Sequence, residues 1–235
     1  MIIVVTGASK GIGKAIAEQF ASDKQGHTVF VCSRNAEQIE LTRKELQGRF
    51  PRTNIYGHAV DLSVKEEVLR YASLILQQTD KIDILVNNAG LFEPGNVHDE
   101  PEGTLEAQLN TNLFSAYHLT RALLPTMMAK KSGHIFIICS IAALAAYPNG
   151  GSYSISKIAL HGFTKNLREE MKPHGIKVTA VHPGAVLTDS WAGFDNSQKR
   201  IMEASDIAKM IYASAHLSPQ ACVEEIVIRP QLGDL

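Results

Sequence analysis

Residues 2–20 read Ile2-Ile-Val-Val-Thr6-Gly7-Ala8-Ser9-Lys10-Gly11-Ile12-Gly13-Lys14-Ala-Ile-Ala-Glu-Gln-Phe20, and the fold class turns on them. The β-branched run predicts a buried strand, the glycine-rich segment a turn, and the apolar spacing after Gly13 a helix. Strand, glycine loop and helix in that order suit a phosphate. Glycines let the backbone approach a pyrophosphate, and the helix start offers free N–H groups and a positive dipole end. The spacing is Gly-x-x-x-Gly-x-Gly rather than Gly-x-Gly-x-x-Gly. The alternative reading is a tight turn that serves helix–strand packing alone.

Outward from this unit, strands and helices alternate. Thr28-Val-Phe-Val-Cys32 predicts a second strand and 36–47 a helix, with Asn35 as a possible cap. A third strand covers 54–60, and Ser63 is placed to cap a helix running to about residue 79. Ile82-Asp-Ile-Leu-Val86 is the fourth strand. Leu105, Leu109, Leu113 and Ala116 carry helical periodicity to about residue 128. His134-Ile-Phe-Ile-Ile-Cys139 and Ile176-Lys-Val-Thr-Ala-Val181 are further strands, the first followed by a helix to about 172. A helix at 206–216 and an edge strand within 222–229 complete the series. The pattern predicts an α/β fold: one Rossmann-like, doubly wound parallel sheet of about seven strands, helices on both faces, a single domain over 1–235.

Composition removes several function classes. A net charge of −1 gives no case for nucleic acid or an anionic membrane surface. No apolar run approaches the ~20 residues of a membrane span, and Met1 leads straight into the first strand without a signal-peptide pattern. Cys32, Cys139 and Cys222 are far apart, two of them in apolar runs, which fits reduced thiols and a cytoplasmic location. The histidines show no ligand spacing, so no metal is expected.

Chemistry-bearing residues fall at the predicted strand ends. Ser33-Arg34-Asn35 follows the second strand, where an NAD site commonly places an acid. Arg34, helped by Lys10, can pair with a 2′-phosphate, which predicts NADP(H) over NAD(H); the alternative is a solvated Arg34 at a helix start. Asn87-Asn88-Ala89-Gly90 ends the fourth strand, where the amides can satisfy backbone groups or touch a ribose. Asn112, a poor helix former, sits inside a predicted helix and is either a surface residue or has a specific partner. Ser140 ends the fifth strand, and Tyr153 and Lys157, at i and i+4, place a phenol beside an ammonium on one helical face. A hydroxyl with a phenol–ammonium pair is a proton-delivery set; an exposed helical pair is the alternative.

Together these motifs resemble the short-chain dehydrogenase/reductase family in its compact one-domain branch, from Ile2 to about Thr188. The resemblance implies a catalytic set of Asn112, Ser140, Tyr153 and Lys157. It implies cofactor contacts from Gly7, Ser9, Lys10, Gly11, Ile12, Gly13 and Arg34, with Asp61 and Leu62 at the adenine. Asn88, with Ala89 and Gly90, would meet the adenosine ribose, and Pro183-Gly184, Val186 and Thr188 the nicotinamide carboxamide. Tyr153 and Lys157 would also contact the cofactor, Lys157 by gripping the nicotinamide ribose. The implied activity is NADP(H)-dependent reduction of a carbonyl, or the reverse oxidation of an alcohol, on a small-molecule substrate. Tyr153 would act as general acid, with its pKa lowered by two nearby positive charges, Lys157 and the oxidised nicotinamide. A 3-oxoacyl-[acyl-carrier-protein] reductase shares every motif and is the alternative; a non-catalytic NADP(H)-sensing regulator is a distant one. A homo-oligomer, dimer or tetramer, is implied. Leu91, Phe92, Leu144, Tyr147 and Trp191 are the expected pocket lining, and the segment from Asp189 to about residue 203 the expected lid.

Overall fold

Seven strands form one parallel sheet in the order β3-β2-β1-β4-β5-β6-β7. They are β1 (Ile2–Thr6), β2 (Thr28–Ser33), β3 (Asn54–Ala59), β4 (Ile84–Asn87), β5 (Gly133–Ile138), β6 (Ile176–Pro183) and β7 (Glu225–Ile228). This is a computed structural model; it describes residues 1–188, 191 and 193–234, so Asp189, the first residue of the expected lid, lies outside the described residues.

The alternation of strand side chains explains the two faces. Ile3 and Val5 point one way, onto α1 (Gly11–Ala21), α2 (Ala36–Arg49) and α7 (Ala204–Ala215). Val4 points the other way, onto α3 (Lys65–Gln78), α5 (Ser115–Lys130) and α6 (Gly151–Met171). Phe20, Leu46 and Ile211 close the first layer, and Tyr71, Leu123 and Leu160 the second. Each of the leucine and isoleucine side chains contributes about 1.5–3 kcal/mol by leaving water, so the sheet is fixed from both sides.

Local signals set the boundaries with one correction. Asn35 Oδ1 accepts from the Gln38 N–H at 2.8 Å and caps α2. Ser63 does not cap α3, which begins at Lys65 after Val64. Its N–H and hydroxyl both donate to Asp61 Oδ1, at 3.0 and 2.7 Å, forming a tight Asx-type turn instead. A reciprocal capping box between Glu203 and Asp206 starts α7 at Ala204.

The periodicity read as one helix from Leu105 is three pieces. A short α4 (Thr104–Leu109) passes into a π-helical turn (Asn110–Phe114) before α5. The extra residue in that turn rotates Asn112 inward, where it is 1% exposed. Such turns recur at functional sites.

Candidate active site

In an open parallel sheet the binding crevice lies beyond the strand C-termini, where neighbouring strands send their chains to opposite faces. Here that point is between β1 and β4. Thr6 Oγ1 accepts from the Asn88 and Ala89 N–H groups at 2.9 and 3.0 Å, joining the two strand ends. Asn88 Nδ2 donates to the carbonyls of Thr6 and Gly7 at 2.9 and 3.0 Å. Its amide N–H groups therefore hold the glycine turn, the structural alternative for this residue.

The glycine loop has the form of an anion cradle. Gly7 and Gly11 have φ of +63° and +57°, a region costly for residues with a Cβ. A Cβ on Gly7 would stand 2.8 Å from Ala89 Cα, and one on Gly13 only 2.4 Å from the Gly7 carbonyl oxygen. Ser9 is fixed from behind, its carbonyl accepting from Thr42 Oγ1 at 2.9 Å. Among the described residues no side chain caps the α1 N-terminus, and its first turn carries no acid, so its dipole faces the loop. These features fit a dinucleotide pyrophosphate.

The other expected cofactor residues divide. Lys10 and Arg34 are exposed, and Ile12 is half-buried against the α1 layer of the core. The Ser63 hydroxyl holds the Asp61 carboxyl below the usual range, with a smaller contribution from the charge of Arg34, which follows β2 at the same sheet edge. Leu62 is buried. Thr188 lies over Gly11, its Cγ2 3.2 Å from where a Cβ would stand. Val186 is buried and bridges to Met202, bringing the post-β6 segment back toward the loop. Pro183 and Gly184 sit farther out. Pro183 pairs with Ile228, and Gly184 packs beneath Arg229, Pro230 and Asp234, with its N–H on the Ile228 carbonyl at 2.8 Å.

Asn112, Ser140, Tyr153 and Lys157 are brought together. The Leu91 N–H donates to Asn112 Oδ1 at 2.6 Å, and Asn112 Nδ2 donates to the Leu91 carbonyl and to Ser156 Oγ at 3.0 and 2.8 Å. Ser156 Oγ in turn donates to the Tyr153 carbonyl at 2.8 Å, linking the π turn to the helix that carries the phenol. Lys157 Nζ donates to the Ile138 carbonyl at 3.0 Å and lies 5.8 Å from the Tyr153 ring centroid. Gly90 leaves room for this convergence: a Cβ there would meet Asn112 Oδ1 at 3.3 Å and Lys157 Nζ at 3.6 Å. Ser140 is buried in extended backbone, its Oγ accepting from the Ala142 N–H at 3.1 Å.

Burial dominates the electrostatics. It pushes Lys157 down to about 8. It also raises the Tyr153 phenol above its ordinary value, partly offset by a hydrogen bond with Ser140. The protein's own groups therefore do not produce the expected lowering by Lys157: loss of water outweighs the Ser140 hydrogen bond, which is the cause that acts downward. A raised pKa keeps the proton on the phenol at neutral pH, the form a general acid requires.

Several supporting residues were not singled out from the sequence. Thr6 ties the strand ends. Glu100 accepts from the Ser152 N–H and hydroxyl at the start of α6. His182, buried behind Ser140, has Nδ1 3.1 Å from that residue's carbonyl. Only the Thr6 position, the last residue of a strand before a glycine, carried a local signal. Phe92 meets the Tyr153 ring edge-on at 4.8 Å, and Trp191 pairs with Phe194 at 5.4 Å. Leu144 and Tyr147 are exposed nearby in the 144–150 loop.

The sheet order, the glycine cradle and the serine–tyrosine–lysine cluster define an oxidoreductase class. Residues 1–199 match the short chain dehydrogenase family, and the chain belongs to it. It is 36% identical to the sepiapterin reductase of Chlorobaculum tepidum, over 100% of this chain and 98% of the relative. A metagenomic short-chain oxidoreductase solved in complex with NADP superposes with a TM-score of 0.85 at 32% identity, covering 98% of this chain and 97% of the other. Serine dehydrogenase from Escherichia coli gives 0.83 at 27% identity, with 97% of each chain covered. Among the described residues no helix is long and apolar enough to cross a membrane.

Proposed function

We propose that this protein reduces a ketone or aldehyde to the alcohol, or runs the reverse reaction, using NADP(H). The observation that carries the proposal is the convergence of Ser140, Tyr153 and Lys157 beside Gly90 and the glycine turn. When bound, the nicotinamide cofactor supplies or accepts the hydride. The chain's residues manage the oxygen. Tyr153 Oη gives its proton to the substrate oxygen as negative charge develops there, and Ser140 Oγ donates a hydrogen bond to the same atom. Lys157 stabilises the phenolate left behind. Asn112, through Leu91 and Ser156, keeps the loop after β4 and the Tyr153 helix in fixed relation.

The Lys157 value has a direct consequence. Its ammonium is present below about pH 8 and is lost as pH rises through it, while Tyr153, raised, keeps its proton throughout that range. For reduction, kcat/KM is therefore expected to be level at lower pH and to fall as Lys157 becomes neutral. A level profile through that region contradicts the role given to Lys157.

Cofactor preference rests on Arg34, and the NADP bound by the 32% identical neighbour supports it. Charge-assisted hydrogen bonds contribute about 1.5–3 kcal/mol. Arg34→Ala is thus expected to lower the NADPH-to-NADH ratio of kcat/KM by about 10- to 100-fold. An unchanged ratio places the discrimination elsewhere.

The name of the Chlorobaculum tepidum relative makes sepiapterin the first carbonyl to assay, followed by ketones, diketones and acyl thioesters, all by NADPH oxidation. Turnover of a small carbonyl supports the proposal, and none across the panel contradicts it. The acyl-carrier reading gains little from Arg121 and Lys130, which are engaged with Tyr117 and Asp80.

A further inference from the structure

We propose that His161, His182 and Glu225 bind one divalent transition-metal ion of the zinc type, at a site behind Ser140 whose binding test does not depend on the proposed reaction. The residues come from α6, β6 and β7, and one ligand atom of each lies within 4.8 Å of the others. His161 Nε2 donates a hydrogen bond to Glu225 Oε1 at 3.0 Å, a proton that a bound ion would replace, and His182 Nε2 is 3.8 Å from the other oxygen, Oε2. Tetrahedral zinc, with bonds of about 2.0–2.2 Å, holds its ligand atoms roughly 3.3–3.5 Å apart. The observed distances bracket that spacing. Glu225 begins the edge strand with its side chain 40% exposed, so it has room to adjust around an ion.

His182 carries the inference. Its Nδ1 lies 3.1 Å from the Ser140 carbonyl oxygen. A carbonyl only accepts, so Nδ1 holds the proton and Nε2 offers a lone pair. That Nε2 is in a residue with 0% exposure and has no hydrogen-bond partner among the described residues. An unpaired buried polar atom destabilises a fold. A neutral imidazole whose other N–H is fixed by a backbone carbonyl is also the usual arrangement of a metal-binding histidine. The His161 and His182 rings meet edge to face, centroids 4.5 Å apart, which fixes both in place.

The surroundings suit a cation. A depression lined by His161, Thr164, Arg168, Glu224 and Glu225 gives an ion a route to the cluster from solvent. Glu169 is paired with Arg168 and Lys172, and Glu224 with Arg168, so Glu225 is the carboxylate left to meet an ion.

The test is titration of the full chain with Zn²⁺ by calorimetry and with Co²⁺ by its visible absorption. One ion per chain and a four-coordinate Co²⁺ spectrum are expected. Glu225→Gln, at an exposed position, and His161→Gln are each expected to weaken binding by about tenfold or more. Cys222→Ser, which removes the exposed thiol, is expected to leave it unchanged. Absence of saturable binding, binding undiminished in Glu225→Gln, or binding lost in Cys222→Ser overturns the proposal. None of these outcomes bears on the carbonyl assay.

Discussion

Tyr153→Phe is expected to lower kcat by about 10²–10⁴, the usual contribution of a positioned general acid. The variant removes one oxygen and keeps the ring. The edge-on contact with Phe92 and the backbone bond from Ser156 Oγ to the Tyr153 carbonyl are both retained, so Tm should stay close to that of the native chain. Dinucleotide affinity should also be nearly kept, because the glycine cradle is untouched. Loss of turnover with retained cofactor binding is the signature of a missing proton donor. Equal loss of binding and turnover would mean that Tyr153 serves mainly to hold the dinucleotide.

The second large effect belongs to Gly13. A Cβ at this position meets the Gly7 carbonyl oxygen at 2.4 Å and Asn88 Nδ2 at 2.5 Å. Neither obstacle can swing aside: one is backbone, and the other is bonded to the Thr6 and Gly7 carbonyls. Gly13→Ala should therefore behave as an overpacked core substitution and cost about 2–3 kcal/mol. For a chain of this size that lowers Tm by roughly 5–10 °C. It should also weaken NADPH binding by displacing the turn. Gly162→Ala supplies the control. Gly162 lies within α6, and none of the described residues stands within 4 Å of its would-be Cβ. There the same change should stabilise by about 0.4–1 kcal/mol. The opposite signs separate steric exclusion at the cradle from general helix propensity, and a Gly13→Ala chain as stable as the native one contradicts the cradle's geometry.

Much of this was legible before the structure. The sheet could be read because each strand is an apolar, mostly β-branched run, and the glycine loop because its residue types follow the first such run. Tyr153 and Lys157 share a face by helical spacing alone. What escaped the sequence depends on contacts between distant segments. Asn112 looked misplaced in a helix, and only the π turn explains its burial. Ser63 has the composition of a cap, yet Asp61 two residues earlier takes its donors. The direction of the Tyr153 pKa depends on how much water the packed site excludes, which no i,i+4 pattern records. His161, His182 and Glu225 are spaced 21 and 43 residues apart and meet only because β6 and β7 pair beside α6.

The central claim is that the Tyr153 hydroxyl, beside Lys157 and Ser140, meets a carbonyl oxygen at the nicotinamide face. A crystal structure with NADP⁺ bound tests it most directly. The account predicts the pyrophosphate over Gly11–Gly13, and Tyr153 Oη and Ser140 Oγ facing the reactive ring carbon across a gap wide enough for a carbonyl group. A hydroxyl turned away from the ring, or a gap too narrow for a substrate, would contradict it.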